Sequence, residues 1–257
     1  MGLKSNGATA SLKQLAPRLV VGTLAGAAAL AAALFAFHRV EEFLIRDPRF
    51  ALSGGEDGLR LSGAVHASHH AIQAVFAEDF GRSVYLIPVG QRRTTLKTVD
   101  WVKDATVVRI WPNLLVARIA ERKPVAFITL AAGRPGLIDE DGVILPPARD
   151  RFNLPVLAGV KASDPIAERR ERVGRLLRFI NELGEAGKDI SEVDVSDRDN
   201  LKVRQPYEGR MVTLLLGDQH FQARYQNYRN HIAEIKRKLP GASTLDLRLE
   251  DRITVVE

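Results

Sequence analysis

The chain contains no cysteine. That excludes disulfides, thiol nucleophiles and thiolate metal sites. Aromatic residues make up only 6% of it, with two Trp and four Tyr. No acidic residue precedes Glu41. The chain also lacks a Gly-x-Ser-x-Gly elbow, a Gly-x-x-x-x-Gly-Lys-Ser/Thr phosphate loop and a His-Glu-x-x-His helix. The local signatures of acyl transfer, nucleotide cradling and zinc hydrolysis are therefore missing.

Histidine is scarce, and the only clustered imidazoles are His66, His69 and His70. A metal site needs two or three of them converging with an acidic partner. These straddle a helix start at Ser68 and read as surface histidines. Asp139, Glu140 and Asp141 precede Gly142. A calcium loop would need ligands continuing to a later Glu, so an Asp-Gly hairpin turn accounts for them better. The expectation is a protein that is not an enzyme, with no catalytic residue, cofactor or metal.

What is present begins with nineteen uncharged residues, Leu19 to Phe37, behind a tail whose only charges are Lys4, Lys13 and Arg18. At ~1.5 Å per residue such a helix spans roughly 28 Å, close to the hydrocarbon thickness of a bilayer. Lys and Arg flanking a span tend to stay cytoplasmic, so residues 1–18 are expected inside and the chain from His38 onward outside. A cleaved signal peptide is the rival reading, with Ala31 to Ala33 as its cleavage site. Leu34 to Phe37 prolongs the apolar run past that point. Gly22 and Gly26 form a GxxxG pair, which a segment this rich in Ala and Gly produces readily by chance.

The formal charge is +6, from 37 basic and 31 acidic residues. Removing the three basic residues of the tail leaves 34 against 31, or +3, for the exported part. The charge therefore gives no reason to expect nucleic acid. Some 220 exported residues suit two domains, each with its own core.

Along that part, Arg39 to Asp47 is a charged juxtamembrane stretch ended by Pro48, and residues 53–58 form a loop. Leu59 and Leu61 mark a strand. Ser68 caps a helix with apolar face Ile72, Val75 and Phe76, stopped by Gly81. Residues 84–89 read as extended and 95–99 as a short helix. Residues 101–110 and 114–120 read as the arms of a hairpin turning at Trp111-Pro112-Asn113. Trp101 reads as a core residue, Trp111 as either core or contact.

Further on, 127–130 is a strand and 137–145 a hairpin. A helix opened by Pro165 has its stripe at Val173, Leu176, Leu177, Ile180 and Leu183. Its other face pairs Glu168 with Arg172 and Glu171 with Arg175. Strands follow at 190–195, 201–203 and 211–216. A helix over 224–238 buries Tyr225, Tyr228, Ile232, Ile235 and Leu239. The last segment alternates, with Leu245, Leu247 and Leu249 on one face and Asp246, Arg248 and Glu250 on the other.

Trp101-Val102-Lys103-Asp104-Ala105, Val107, Arg109, Trp111-Pro112-Asn113, Leu115, Val116 and Glu121-Arg122-Lys123-Pro124-Val125-Ala126 occur in that order behind the apolar run. This series resembles the closing half of a POTRA domain of the FtsQ/DivIB family of bacterial division proteins. A helix followed by Asp246-Leu247-Arg248 and a terminal strand is similar to the family's C-terminal β domain. The chain departs from the pattern at Leu249, where the family often has Tyr, and in the loop before Leu61.

The resemblance implies an α+β architecture. A single transmembrane helix (19–37) and a juxtamembrane linker (38–48) precede a strand-helix-helix-strand-strand POTRA domain (49–123). A mixed β domain with two helices (124–257) follows. It further implies a scaffold of the division machinery at the inner membrane, concentrated at the septum. There it would bind FtsB and FtsL and link early division proteins to septal peptidoglycan synthesis. Strand capture by sheet edges needs no particular side chain. The expected contacts are therefore the terminal strand, with Arg252, Ile253, Thr254, Val255 and Val256 for FtsB, and the hairpin, with Arg109 and Trp111. The terminal strand is expected to be left uncovered, and 253–256 carries no charge. The other classes considered are a POTRA component of outer-membrane protein assembly or secretion, expected to show several POTRA units or a barrel, and an anchored cell-wall enzyme.

Overall fold

A computed structural model describes residues 8–238, 240–249 and 252–256 of the chain. The described residues fall into two compact units. The first comprises those up to Ala64 with His69–Lys97 and Asp104–Ile119, and the second Val65–Ser68, Thr98–Lys103 and the chain from Ala120 onward.

The first unit begins with helix α1, Ala8–Arg46. From Gly22 to Arg46 it is long and apolar enough to cross a membrane, and none of its apolar stretch is covered by protein. The charged stretch after Phe37 continues the helix to Arg46. Glu42 pairs with Arg39 at 3.3 Å and with Arg46 at 3.6 Å, one turn away on either side. Asp47 then accepts the Arg49 N–H, and Pro48 opens a single tight turn.

Strands β1 (Leu59–Ser62), β2 (Val102–Ile110) and β3 (Leu114–Glu121) form a sheet in the order β1-β3-β2, with β1 parallel to β3. The strand-helix-helix-strand-strand order of a POTRA domain is met by α2 (His69–Ala74) and α3 (Val89–Leu96). Ile72 and Phe76 are buried as expected, together with Leu52, Leu59, Val84, Ile87, Leu96 and Leu115. Three local expectations fail. The helix expected to run to Gly81 ends at Ala74 and continues as turns. Residues 84–86 form a turn, not a strand, and Val89 already opens α3; the single bridge nearby joins Ala51 to Ser83, just before the turn. Leu86 N–H bonds back to Ser83, which puts Val84 and Ile87 on the buried side and Tyr85 and Leu86 outside. The second helix lies six residues earlier than the expected 95–99, beginning directly after Pro88. Arg92 locks it by a paired contact to the buried Asp79, at 2.6 and 2.9 Å.

The second unit is built on a nine-stranded mixed sheet in the order β12-β11-β10-β9-β8-β7-β4-β5-β6. Its strands are β4 (Pro124–Thr129), β5 (Pro135–Asp139), β6 (Ile144–Leu145), β7 (Val156–Ala158), β8 (Glu192–Asp194), β9 (Leu201–Tyr207), β10 (Arg210–Gly217), β11 (Thr244–Asp246) and β12 (Thr254–Val255). Glu208 and Gly209, both with positive φ, close the β9–β10 hairpin.

Helices α4 (Ile166–Leu183) and α5 (Phe221–Lys238) pack beside each other and share the sheet's core. Phe179 meets Phe221 edge-on at 5.4 Å. Phe179 is fully buried, whereas Leu177 and Ile180, expected in the stripe, are only partly covered. The Glu168–Arg172 pair is present at 3.5 Å. The expected Glu171–Arg175 pair is replaced: Arg175 donates to the carbonyls of Val195, Asp197 and Arg198, while Glu171 pairs with Arg198. Under α5, buried Gln205 accepts from the Tyr225 hydroxyl and donates to that of Tyr228. Leu239 and Glu250 lie outside the described residues.

The alternation over 245–250 stops early. Leu245 and Leu247 are buried, but Leu249 is 50% exposed, and Asp246, expected outside, is buried. The cause is local. Asp246 accepts the N–H of Arg248 two residues on and its guanidinium, which turns the chain out of the strand.

Candidate interaction surfaces

Strand β12 is the outermost strand of the large sheet among the described residues, antiparallel to β11. The register pairs Leu245 with Val255 and Asp246 with Thr254, and the Val256 N–H donates to Thr244 O at 3.1 Å. In an antiparallel ladder, hydrogen-bonded and non-bonded pairs alternate. Thr254 and Val256 therefore direct their backbone groups toward β11, and Val255 directs its own away from the sheet. The side chains divide the other way: Ile253 and Val255 pack against the core, while Thr254 and Val256 are exposed. Beside this edge lies an open groove lined by Asn227, His231, Glu234 and Ile235 of α5 with Arg252 and Ile253. The structure thus gathers 252–256 along one sheet edge and one groove wall. Glu257 lies outside the described residues.

Arg109 and Trp111 belong to the first unit. Arg109 is committed internally. Its Nε donates to Val84 O at 2.8 Å and its Nη2 to Ile87 O, holding the turn over 84–87 in place. Trp111, in the β2–β3 turn, is 51% exposed, and its ring stands edge-on to Phe50 at 5.7 Å.

A third constellation was not foreseen and belongs to the second unit. Glu121 Oε1 accepts the backbone N–H groups of Val65, His66 and Ala67 at 2.7, 2.8 and 2.7 Å. Its Oε2 lies 2.9 Å from His66 Nδ1, and Asp150 lies 2.9 Å from Nε2. The His66 ring stacks on Trp101, which is 3% exposed and has φ +70°. The bond to Glu121 raises the His66 pKa; partial burial opposes this and Asp150 adds to it. Burial pushes the Glu121 carboxyl up, but the bonds from Ala67, His66 and Val65 outweigh it and hold the carboxyl below its usual range.

The neighbouring residue acts similarly. Arg122 Nη1 donates to Asp139 at 2.6 Å, and Asp139 in turn accepts the N–H groups of Asp141 and Val143. The acidic triplet is therefore the expected hairpin turn, closed by Gly142 at φ +76°. With both ring nitrogens of His66 occupied and His69 bonded to Ala64 O, the histidines do not converge. Among the described residues no group of His, Asp and Glu is arranged to hold a metal ion. The one sequence signal for the Glu121 constellation is its place in the Glu-Arg pair that ends the hairpin.

Comparison with known proteins decides the family. The family model for the C-terminal part of cell division protein FtsQ/DivIB matches residues 126–248, and that for the FtsQ-type POTRA domain matches residues 58–122. The chain belongs to the FtsQ/DivIB family. The cell division protein FtsQ of Koribacter versatilis is 32% identical over 212 residues, covering 80% of this chain and 60% of that protein. FtsQ of Nitrosospira multiformis is 28% identical over 71% of this chain and 72% of its own length. FtsQ of Bordetella pertussis is 38% identical over a shorter stretch of 61 residues. This chain thus spans about 60% of the first relative's length. The FtsQ-type POTRA match takes in both the loop over 65–67 and Glu121. The FtsQ/DivIB C-terminal match opens two residues after Pro124 and ends at Arg248, short of β12.

Proposed function

We propose that this chain is a non-enzymatic, bitopic scaffold of the bacterial division machinery, which captures FtsB, and with it FtsL, on the edge of its β domain. The observation that carries this reading is β12, an uncharged strand that is outermost among the described residues and whose Val255 N–H and C=O point away from the sheet. An edge of this kind is either blunted or used for pairing, and addition of a strand satisfies its backbone groups. The groove of α5 beside Ile253 supplies side-chain contacts for the residues flanking an added strand.

In this reading α1 holds the protein in the inner membrane with residues 1–18 cytoplasmic and the two domains, divided after Lys123, on the far side. The protein concentrates at the septum, where it links early division proteins to peptidoglycan synthesis. Arg109 serves that role indirectly, by shaping the turn over 84–87.

The deciding experiment measures FtsB binding by calorimetry with the full chain and with a variant lacking Arg252 to Glu257. Loss of binding in the deletion, with the thermal transition retained, is the expected result. Unchanged affinity rules out the edge. A fluorescent fusion forms a midcell band if the assignment to the division machinery is correct, and a uniform membrane signal contradicts it.

A further inference from the structure

Between the end of the apolar run and the tip of the β2–β3 hairpin, three aromatic rings form a continuous series within the first unit. Phe43, in the last turns of α1, meets Phe50 edge-on at 5.5 Å, and Phe50 meets Trp111 edge-on at 5.7 Å. Arg49 lies over the Phe43 ring at 5.3 Å. Val40, one turn before Phe43, is exposed, as are Phe43, Ile110 and Trp111. A soluble domain has no reason to leave a Trp and these neighbours uncovered beside a membrane-spanning helix, whereas the other Trp of the chain is buried.

The position fits a lipid surface. Phe43 follows Phe37 by six residues, so it stands ~9 Å beyond the apolar run along the helix. The headgroup layer is roughly 5–8 Å deep on each side of the hydrocarbon. Val40, ~4.5 Å beyond the run, therefore lies within that layer and Phe43 at its outer margin, with Trp111 two ring contacts away. Trp and Tyr concentrate at this depth because the ring is apolar and the indole N–H stays hydrated. The charges nearby are balanced: Arg39, Arg46 and Arg49 are matched by Glu41, Glu42 and Asp47. Most of these already pair with each other. That balance suits a zwitterionic headgroup layer and gives no reason to require anionic lipid.

We propose that the Phe43–Phe50–Trp111 series seats the tip of the β2–β3 hairpin in the headgroup layer of the bilayer that α1 spans. The POTRA-type domain is thereby held against the membrane at a second point besides its covalent helix. This rests on the reading of α1 as an uncleaved anchor.

The test uses the full chain reconstituted in phosphatidylcholine vesicles, with and without lipid brominated on its acyl chains. Trp101→Phe leaves Trp111 as the sole Trp, and the difference between wild type and Trp111→Phe isolates the same signal if the first variant misfolds. Trp111 emission is expected at shorter wavelength than in water, quenched by brominated lipid and shielded from aqueous acrylamide. Adding phosphatidylglycerol should leave these readings unchanged. A chain that does not float with the vesicles overturns the anchor itself. A chain that floats but whose Trp111 is quenched by acrylamide and not by brominated lipid overturns the seating alone. Quenching that requires phosphatidylglycerol overturns the zwitterionic surface as its partner.

Discussion

Glu121 holds His66 twice, through the backbone N–H at 2.8 Å and through ring Nδ1 at 2.9 Å. One carboxylate thereby fixes both the path of the chain and the orientation of a ring that stacks on Trp101. The loop over 65–67 has no regular secondary structure of its own. Its three N–H donors depend on a residue more than fifty positions later.

Removing that acceptor should be costly. Glu121→Ala is expected to lower stability by ~1–3 kcal/mol, because three donors lose their partner together. Glu121→Gln keeps the oxygen that accepts them and should lose less. Urea unfolding of the two variants checks the order, which a purely electrostatic role would not produce.

The same contact sets a pH window. The folded His66 has a raised pKa, so its contribution is complete below the unfolded value near 6.5 and disappears as pH rises through the folded value. The folded Glu121 has a lowered pKa, so its contribution is complete above 4.5 and fades as pH falls through the folded value. Melting temperature should therefore decline from pH 6 to pH 8 in wild type, and His66→Gln should flatten that part of the profile.

In the second core the aromatic pair is the sensitive point. Phe179→Ala should destabilise by ~3–5 kcal/mol, since it opens a cavity against Phe221 where neither helix can close in. Leu249→Ala, at a half-exposed position, should stay within ~0.5 kcal/mol. Denaturant midpoints at unchanged slope are the measurement.

Two prolines distinguish the faces of the terminal strand. Val255→Pro removes an outward N–H and should weaken FtsB binding about fivefold to tenfold, about one hydrogen bond, while the melting temperature holds. Thr254→Pro removes an inward N–H and should chiefly lower stability. Calorimetry and thermal melts on both variants give opposite patterns if the register is correct.

For the domain boundary, a fragment from Pro48 to Lys123 retains Glu121, its three N–H donors and Trp101. It lacks Asp150 and Phe152, which also face His66. It should unfold cooperatively but at a lower temperature than the full chain. A fragment without a cooperative transition places the boundary elsewhere.

The amino-acid sequence by itself determined the long apolar helix, the two helices of the second unit with most but not all of their buried positions, and the hairpin at Trp111-Pro112-Asn113. Each rests on periodicity or turn chemistry, which act within a few residues. Where local signals competed, contacts decided. Pro88 with the Arg92–Asp79 pair set the start of α3, and the Asp246–Arg248 contact ended the last alternation before Leu249. The ladder alone revealed that Val255 and not Thr254 faces outward, because parity along a strand is fixed only once its partner's register is known. The Glu121 constellation was the least legible of all. A carboxylate bound to three backbone N–H groups leaves no pattern in sequence, since the donors are the same in every residue type except proline.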